Sequence, residues 1–199
     1  MSITLRLTLL FTAVSTAVLL ALGLLIGNTV ERHFVEQDME VINGKLLLAA
    51  NLIGQVRTAA DLDGLQMQFA NSLVGHHGLS MMVRNTHAEI LFATAAANFP
   101  PSLLEHATME KSPRPQAWQR QESPDTQHQR GIAVLVPTAI PGMPPLLVAV
   151  AVDITHHEHF MASFRRTLWL FVAIAAALAG LLGWAAVRRG LSPLQAIRQ

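Results

Sequence analysis

Two long apolar runs flank a polar middle in this chain. Residues 9–27 and 167–187 contain no charged side chain, and each run reaches the roughly 18 to 20 residues that a helix needs to cross the hydrocarbon of a bilayer. Trp169 and Trp184 lie near the two ends of the second run, where aromatic rings favour the membrane interface. The pattern predicts two transmembrane helices, one near each end.

The polar middle shows helical periodicity first and strand patterns afterwards. An apolar stripe at alternating steps of four and three predicts a long amphipathic or coiled-coil helix that continues the first span. We expect an α+β domain, an antiparallel sheet flanked by helices, in residues 28–166. The predicted elements are the stripe from Val35 to Ile53, helices at 61–74, 100–109 and from 155, hairpins at 79–94 and 132–153, and a polar loop or edge segment at 111–130.

Small residues recur along both apolar runs. Gly23 and Gly27 form a G-x-x-x-G pattern, and Ala176 and Gly180 form a similar small pair. Such spacing lets two helices approach closely within a membrane. We therefore expect close helix contacts at these positions.

Charge predicts the orientation. Arg6 precedes the first run, while Arg188, Arg189 and Arg198 follow the second, and short basic segments favour the cytoplasmic side. Residues 1–8 and 188–199 are thus expected in the cytoplasm, with residues 28–166 on the far side, which in a bacterium is the periplasm behind the inner membrane. A cleaved signal peptide is the alternative for the first run, although no small-residue cleavage site follows it.

Overall charge and motifs exclude several classes of function. The net charge is +1, and residues 28–166 hold all thirteen acidic residues with ten of the fourteen basic ones, a net charge of −3. This charge gives no reason to expect a nucleic-acid partner. The stretch His156-His157-Glu158-His159 lacks the spacing of a zinc protease, and we find no phosphate loop, nucleophile elbow or cysteine. We predict neither catalytic nor cofactor-binding residues.

Histidines cluster close to both predicted spans. The candidates are His33, His156, His157 and His159, accompanied by Phe34 and Phe160. Imidazole suits copper, zinc and nickel as well as soft monovalent ions, and aromatic faces add cation–π attraction. The alternative is that these side chains simply lie in the membrane interface.

Three segments carry a resemblance to a known family. His33-Phe34-Val35-Glu36-Gln37-Asp38 resembles the signature that follows the first span in copper- and silver-sensing histidine kinases of the CopS/CusS type. Residues 153–160 resemble the His-bearing stretch before their second span. Residues 189–199 look like the opening of a HAMP domain.

The resemblance implies a dimeric sensor with a PDC-like periplasmic fold. It implies that His33, Phe34, His156, His157 and His159 supply a site for Cu(I) or Ag(I) at the dimer interface, and that a response regulator is the partner of the kinase. The 199 residues contain no phosphoacceptor helix or ATP-binding domain, so we expect no kinase activity from this chain alone. A membrane-anchored sensor or scaffold for a non-metal ligand or protein partner is the alternative function.

Overall fold

The structure is a computed structural model that describes residues 3–75, 78–95, 97–109, 114–121 and 126–190. Its elements follow in the order α1 (Ile3–Gly54), α2 (Ala59–Ser72), β1 (Leu79–Arg84), β2 (Ile90–Ala93), α3 (Pro101–Glu105), β3 (Gln116–Gln121), β4 (Thr126–Val136), β5 (Leu146–Asp153) and α4 (Thr155–Gly190). The chain divides into a helical unit, residues 3–33 with 158–190, and a sheet unit, Phe34–His157. Each is described by itself.

The sheet unit is built on five antiparallel strands in the order β2-β1-β5-β4-β3. β5 is central, and its first six residues are buried. Its sequence Leu146-Leu147-Val148-Ala149-Val150-Ala151 is apolar at every position because both faces of the strand are covered. This arrangement confirms the predicted α+β class.

The predicted apolar stripe of α1 packs on one face of the sheet. Ile42, Ala49 and Ile53 are fully buried in a core that includes Val83 of β1 and Val148 of β5. The stripe on this segment therefore serves the sheet core. At about 25 cal/mol per Å² of buried apolar surface, this packing is the main favourable term that holds the segment in place.

A capping box starts α2. Thr58 accepts a hydrogen bond from the Asp61 backbone N–H, and the Asp61 carboxylate accepts from the N–H groups of Arg57 and Thr58. These backbone donors lower the pKa of Asp61. The cap's ionic contribution is therefore present above the ordinary pKa of a carboxyl group and is lost as the pH falls through the lowered value. Behind this cap, Phe69 of α2 stacks on Phe92 of β2 with ring centroids 5.2 Å apart.

Small side chains line the other face of the sheet, where the second core cluster lies. Gly131 of β4 pairs with Ala151 of β5, and Trp118 of β3 crosses over it. A Cβ atom at Gly131 would lie 2.5 Å from the Val150 carbonyl oxygen and 2.9 Å from Trp118 Cη2. Glycine is required here because the backbone and the indole leave no room for a side chain.

Two local predictions need correction. Residues 111–130 were expected to be a loop or edge segment, but β3 and the first half of β4 are regular strands, and β3 is indeed an edge strand. Alternation of polar residues on an edge exposed to water hid the strand pattern. Helix α3 covers Pro101–Glu105 alone, whereas a helix was expected to reach residue 109.

The helical unit contains the two apolar runs. α1 and α4 are both long and apolar enough to cross a membrane. Large apolar side chains on both helices remain exposed, among them Leu10, Leu25, Leu170 and Leu182, as expected for surfaces that lipid covers. Residues 191–199, where the HAMP opening was expected, lie outside the described residues.

The two apolar runs contact each other through small residues. A Cβ atom at Gly23 would lie 2.8 Å from Leu168 Cδ2, and one at Gly180 would lie 3.7 Å from Thr12 Oγ1. The predicted close contacts at Gly23 and Gly180 therefore occur within one chain. A side chain added at Gly23 would have to displace Leu168.

We predict that Gly131→Ala destabilises the sheet unit by about 2 kcal/mol, because overpacking against fixed backbone costs on the order of 1 to 3 kcal/mol. Gly44→Ala is the matched control, since a Cβ atom there meets nothing within 4 Å and alanine is the better helix former. Thermal unfolding followed by circular dichroism should show a lower midpoint for the first variant and an equal or higher one for the second. Equal midpoints for Gly131→Ala and wild type would contradict the tight approach.

We also predict that Gly23→Ile separates the apolar runs. The chain lacks cysteine, so the pair Thr12→Cys and Gly180→Cys can report their proximity by disulfide formation in membranes. Oxidation should cross-link this pair efficiently, and adding Gly23→Ile should slow the reaction severalfold. Leu25→Ile, at a side chain 65% exposed, should leave the rate unchanged, and equal rates in both backgrounds would argue against the Gly23 contact.

Candidate functional site

The beginning of α4 is fastened to the end of the sheet. The Ile154 N–H donates to the His128 carbonyl at 2.8 Å, and the His128 N–H donates to Thr155 Oγ1 at 2.8 Å. Asp153 Oδ1 accepts from the Thr155 N–H at 2.9 Å. These bonds fix the position from which His156 and His157 project.

His157 lies against two residues of α1. Its ring stacks on the Phe34 ring with centroids 4.4 Å apart and planes at 18°. Its Nδ1 atom lies 3.3 Å from Oδ1 of Asp38. Phe34 and Asp38 are four residues apart in α1, so both side chains leave the same face of the helix.

Asp38 is a buried carboxylate with a cationic partner from the sheet. Its side chain is 6% exposed, and its Oδ2 accepts a hydrogen bond of 2.6 Å from Arg130 Nη1 of β4. The Arg130 side chain is itself largely covered, at 20% exposure. A buried charge requires such a partner, because an unpaired one would cost several kcal/mol.

The Nδ1 atom of His157 is the least satisfied part of this group. It is buried, and among the described residues no partner meets hydrogen-bond geometry, although Asp38 Oδ1 lies within ion-pair distance. The 3.3 Å separation brings this nitrogen and the carboxylate together without an aligned hydrogen bond. The side chain as a whole is 32% exposed, so the accessible part is the rest of the ring.

The other predicted ligands lie on the same two helices. His156 belongs to the sheet unit and is exposed, while His33 and His159 belong to the helical unit and are also exposed. Phe34 is half-buried. The structure thus brings Phe34 and His157 together. Across the described part of the chain, His, Cys, Asp and Glu form no group of three or more suited to a metal ion.

This donor set suits a soft monovalent ion better than a divalent one. Zinc sites use four ligands as a rule, whereas a two-coordinate ion can be held by imidazole nitrogen with support from an aromatic face. The His157 imidazole stacked on the Phe34 ring offers one such nitrogen beside one such face. The residues present therefore fit Cu(I) or Ag(I) chemistry.

The sequence interpretation missed the roles of Asp38 and Arg130. Asp38 lies inside the quoted motif, but the sequence alone assigns it no contact. Its position four residues before the buried Ile42 was the available signal. Arg130 gave no signal, because it lay in a segment expected to be a polar loop or edge.

The profile of the CusS sensor domain matches residues 1–161 of this chain. The chain is 28% identical over 198 residues to the sensor protein CopS of Pseudomonas syringae pv. tomato, covering 100% of this chain and 39% of CopS. It is 26% identical over 198 residues to the probable sensor protein PcoS of Escherichia coli, covering 98% of this chain and 42% of PcoS. The chain thus spans about two fifths of the length of these relatives.

Two solved structures are also similar. The crystal structure of the CusS sensor domain with silver bound aligns with a TM-score of 0.43 and 15% identity, over 65% of this chain and 97% of that one. The PAS domain of Bordetella pertussis BvgS aligns with a TM-score of 0.31 and 16% identity, over 52% of this chain and 96% of that one.

We predict that Arg130→Met lowers the free energy of unfolding by about 3 kcal/mol, because it leaves the Asp38 carboxylate buried without its cation. The double variant Arg130→Met with Asp38→Leu should regain most of this loss, since no charge is then buried. Denaturant unfolding followed by circular dichroism measures both values. A single variant as stable as wild type would show that the ion pair carries little energy.

Proposed function

The chain belongs to the CusS sensor-domain family, and from that premise we propose that it is the metal-sensing input module of a membrane two-component sensor histidine kinase. The ligand we propose is Cu(I) or Ag(I), bound in the periplasm. The observation that carries the proposal is the Phe34 ring stacked on the His157 imidazole. An imidazole that is partly exposed and backed by an aromatic ring offers a soft cation both a nitrogen lone pair and a π face.

We propose that residues 9–27 and 167–187 span the bacterial inner membrane. Arg6 before the first run and Arg188 with Arg189 after the second support a cytoplasmic position for both short ends, by the positive-inside rule. Residues 28–166 then form the periplasmic sensor domain. Residues 188–199 form the start of a HAMP domain.

The proposed ligands are His33, Phe34, His156, His157 and His159. Each imidazole must be neutral to coordinate, and none of these histidines supports the apolar core of the sheet unit. The family resemblance supports a site at an interface between two copies of the chain. We therefore propose a homodimer in which metal completes the contact.

The signal would travel along two continuous helices. α1 carries Phe34 and the first apolar run, and α4 carries His157 and the second. A ligand changes a conformational equilibrium by its difference in affinity for the two states. Metal bound to residues on both helices would favour the state in which those residues are closest. Because the same two helices contain the apolar runs, the arrangement of these runs would change as well. A response regulator is the proposed partner of the complete kinase.

We predict that His33→Ala lowers the affinity of the full chain for Ag(I) by at least tenfold while leaving the fold intact. His33 is exposed, so its removal opens no cavity, whereas loss of one imidazole from a site with few donors removes much of the binding energy. Isothermal titration of the chain in lipid nanodiscs measures the affinity. Circular dichroism checks the fold.

The matched control is His87→Ala, at an exposed position in the turn between β1 and β2. It should bind Ag(I) as wild type does. Equal affinity in wild type and His33→Ala would remove His33 from the site. A wild-type chain that binds no Ag(I) or Cu(I) would instead favour a sensor of a non-metal ligand or protein partner.

A further inference from the structure

We propose that Asp38, held by Arg130, is a positioning residue that fixes the tautomer of His157. In this arrangement the ring proton is on Nδ1, which faces the carboxylate, and the lone pair is on Nε2. The inference rests on the proposed function, because it gives Nε2 as the atom that His157 offers to the metal. It assigns a role to two residues that are not themselves ligands.

The group that faces Nδ1 of His157 is the carboxylate of Asp38. An ionised carboxylate can accept hydrogen bonds but cannot donate them. Asp38 Oδ1 lies 3.3 Å from His157 Nδ1, and that nitrogen is buried from solvent. A lone pair on Nδ1 would therefore face a negative charge, whereas an N–H there is attracted to it. In a neutral imidazole the lone pair then belongs to Nε2.

The Asp38 carboxylate is held by Arg130. Arg130 Nη1 donates to Asp38 Oδ2 at 2.6 Å, so one oxygen is bound to the sheet and the other is turned to His157. The same ion pair makes Asp38 a poor ligand for metal, because the charge of the carboxylate is already neutralised. A carboxylate behind a ligating imidazole is the usual device for setting the orientation and tautomer of that imidazole.

The imidazole ring of His157 is held in place by its neighbours. Stacking on Phe34 fixes the plane of the imidazole and leaves two orientations, related by a half-turn about the Cβ–Cγ bond. The hydrogen bonds of Ile154, His128 and Thr155 fix the backbone at the beginning of α4. With position and plane fixed, the direction of Nδ1 is the remaining variable, and Asp38 decides it.

The test is Asp38→Asn in the full chain in lipid nanodiscs. Arg130 should bind the amide oxygen and leave the amide N–H₂ facing Nδ1, which must then accept, so the proton moves to Nε2. The same change in a serine protease triad preserves geometry but produces the wrong tautomer. We expect a ten- to hundredfold loss of Ag(I) affinity, the usual effect of removing such a supporting group.

Nitrogen-15 NMR of His157 reads the tautomer without metal, at an alkaline pH where imidazole is neutral. Wild type should show a protonated Nδ1, and Asp38→Asn should show a protonated Nε2. Asp38→Glu restores a carboxylate and should restore the wild-type tautomer with part of the affinity. Asp61→Asn, the same chemical change in the exposed cap of α2, should alter neither readout.

The outcomes separate this inference from the proposed function. A wild-type chain with its proton on Nε2 overturns the inference even if Asp38→Asn fails to fold, and so does an Asp38→Asn chain that binds Ag(I) as tightly as wild type. A wild-type chain with the proton on Nδ1 but without affinity for Ag(I) supports the positioning role and overturns the metal-sensing proposal.

Discussion

The ion pair between Asp38 and Arg130 is the constraint on which the arrangement of the sheet unit depends. Arg130 belongs to the strand whose alternate residues Ile132 and Val134 pack in the core beneath α1. A shift of β4 by one residue would turn the guanidinium to the opposite face. The carboxylate would then be buried without a partner, so the ion pair opposes any other register between helix and sheet. Apolar packing supplies most of the stability, and the ion pair selects the arrangement.

The same ion pair links the core to the candidate site. Arg130 reaches Asp38 from within the sheet, and Asp38 reaches His157 at the beginning of α4. The contacts from Arg130 through Asp38 to His157 thus connect β4 with both long helices. The buried part of this connection is rigid, while the exposed part of the His157 ring is accessible to a ligand. A site of this kind can change its occupancy without disturbing the core that positions it.

The sequence predicted those elements whose apolar residues recur with one regular pattern, the spacing of a helix face or the run of a buried strand. The α1 stripe, with Ile42 and Ile53 fully buried, and the strand β5 follow from local pattern. β3 was predicted only as part of a polar loop or edge segment, because an edge strand exposed to water carries polar residues such as Gln116 and Gln119 and lacks an apolar alternation. The motif around Phe34 and the position of His157 could be chosen from sequence, but the Asp38–Arg130 contact joins residues 92 positions apart and has no local signature.

The contact of Leu168 with Gly23 has a mechanical consequence for the two apolar runs. Leu168 lies in a notch of α1 at Gly23, which has no side chain, and Leu20 lies almost one turn away on the same side of α1. Sliding α4 along α1 towards Leu20 by about one turn, roughly 5.4 Å, would drive Leu168 against that side chain. Tilting about the notch keeps it filled. The Gly23 contact therefore opposes sliding of α4 in that direction, while it leaves a small change in the angle between the two helices open.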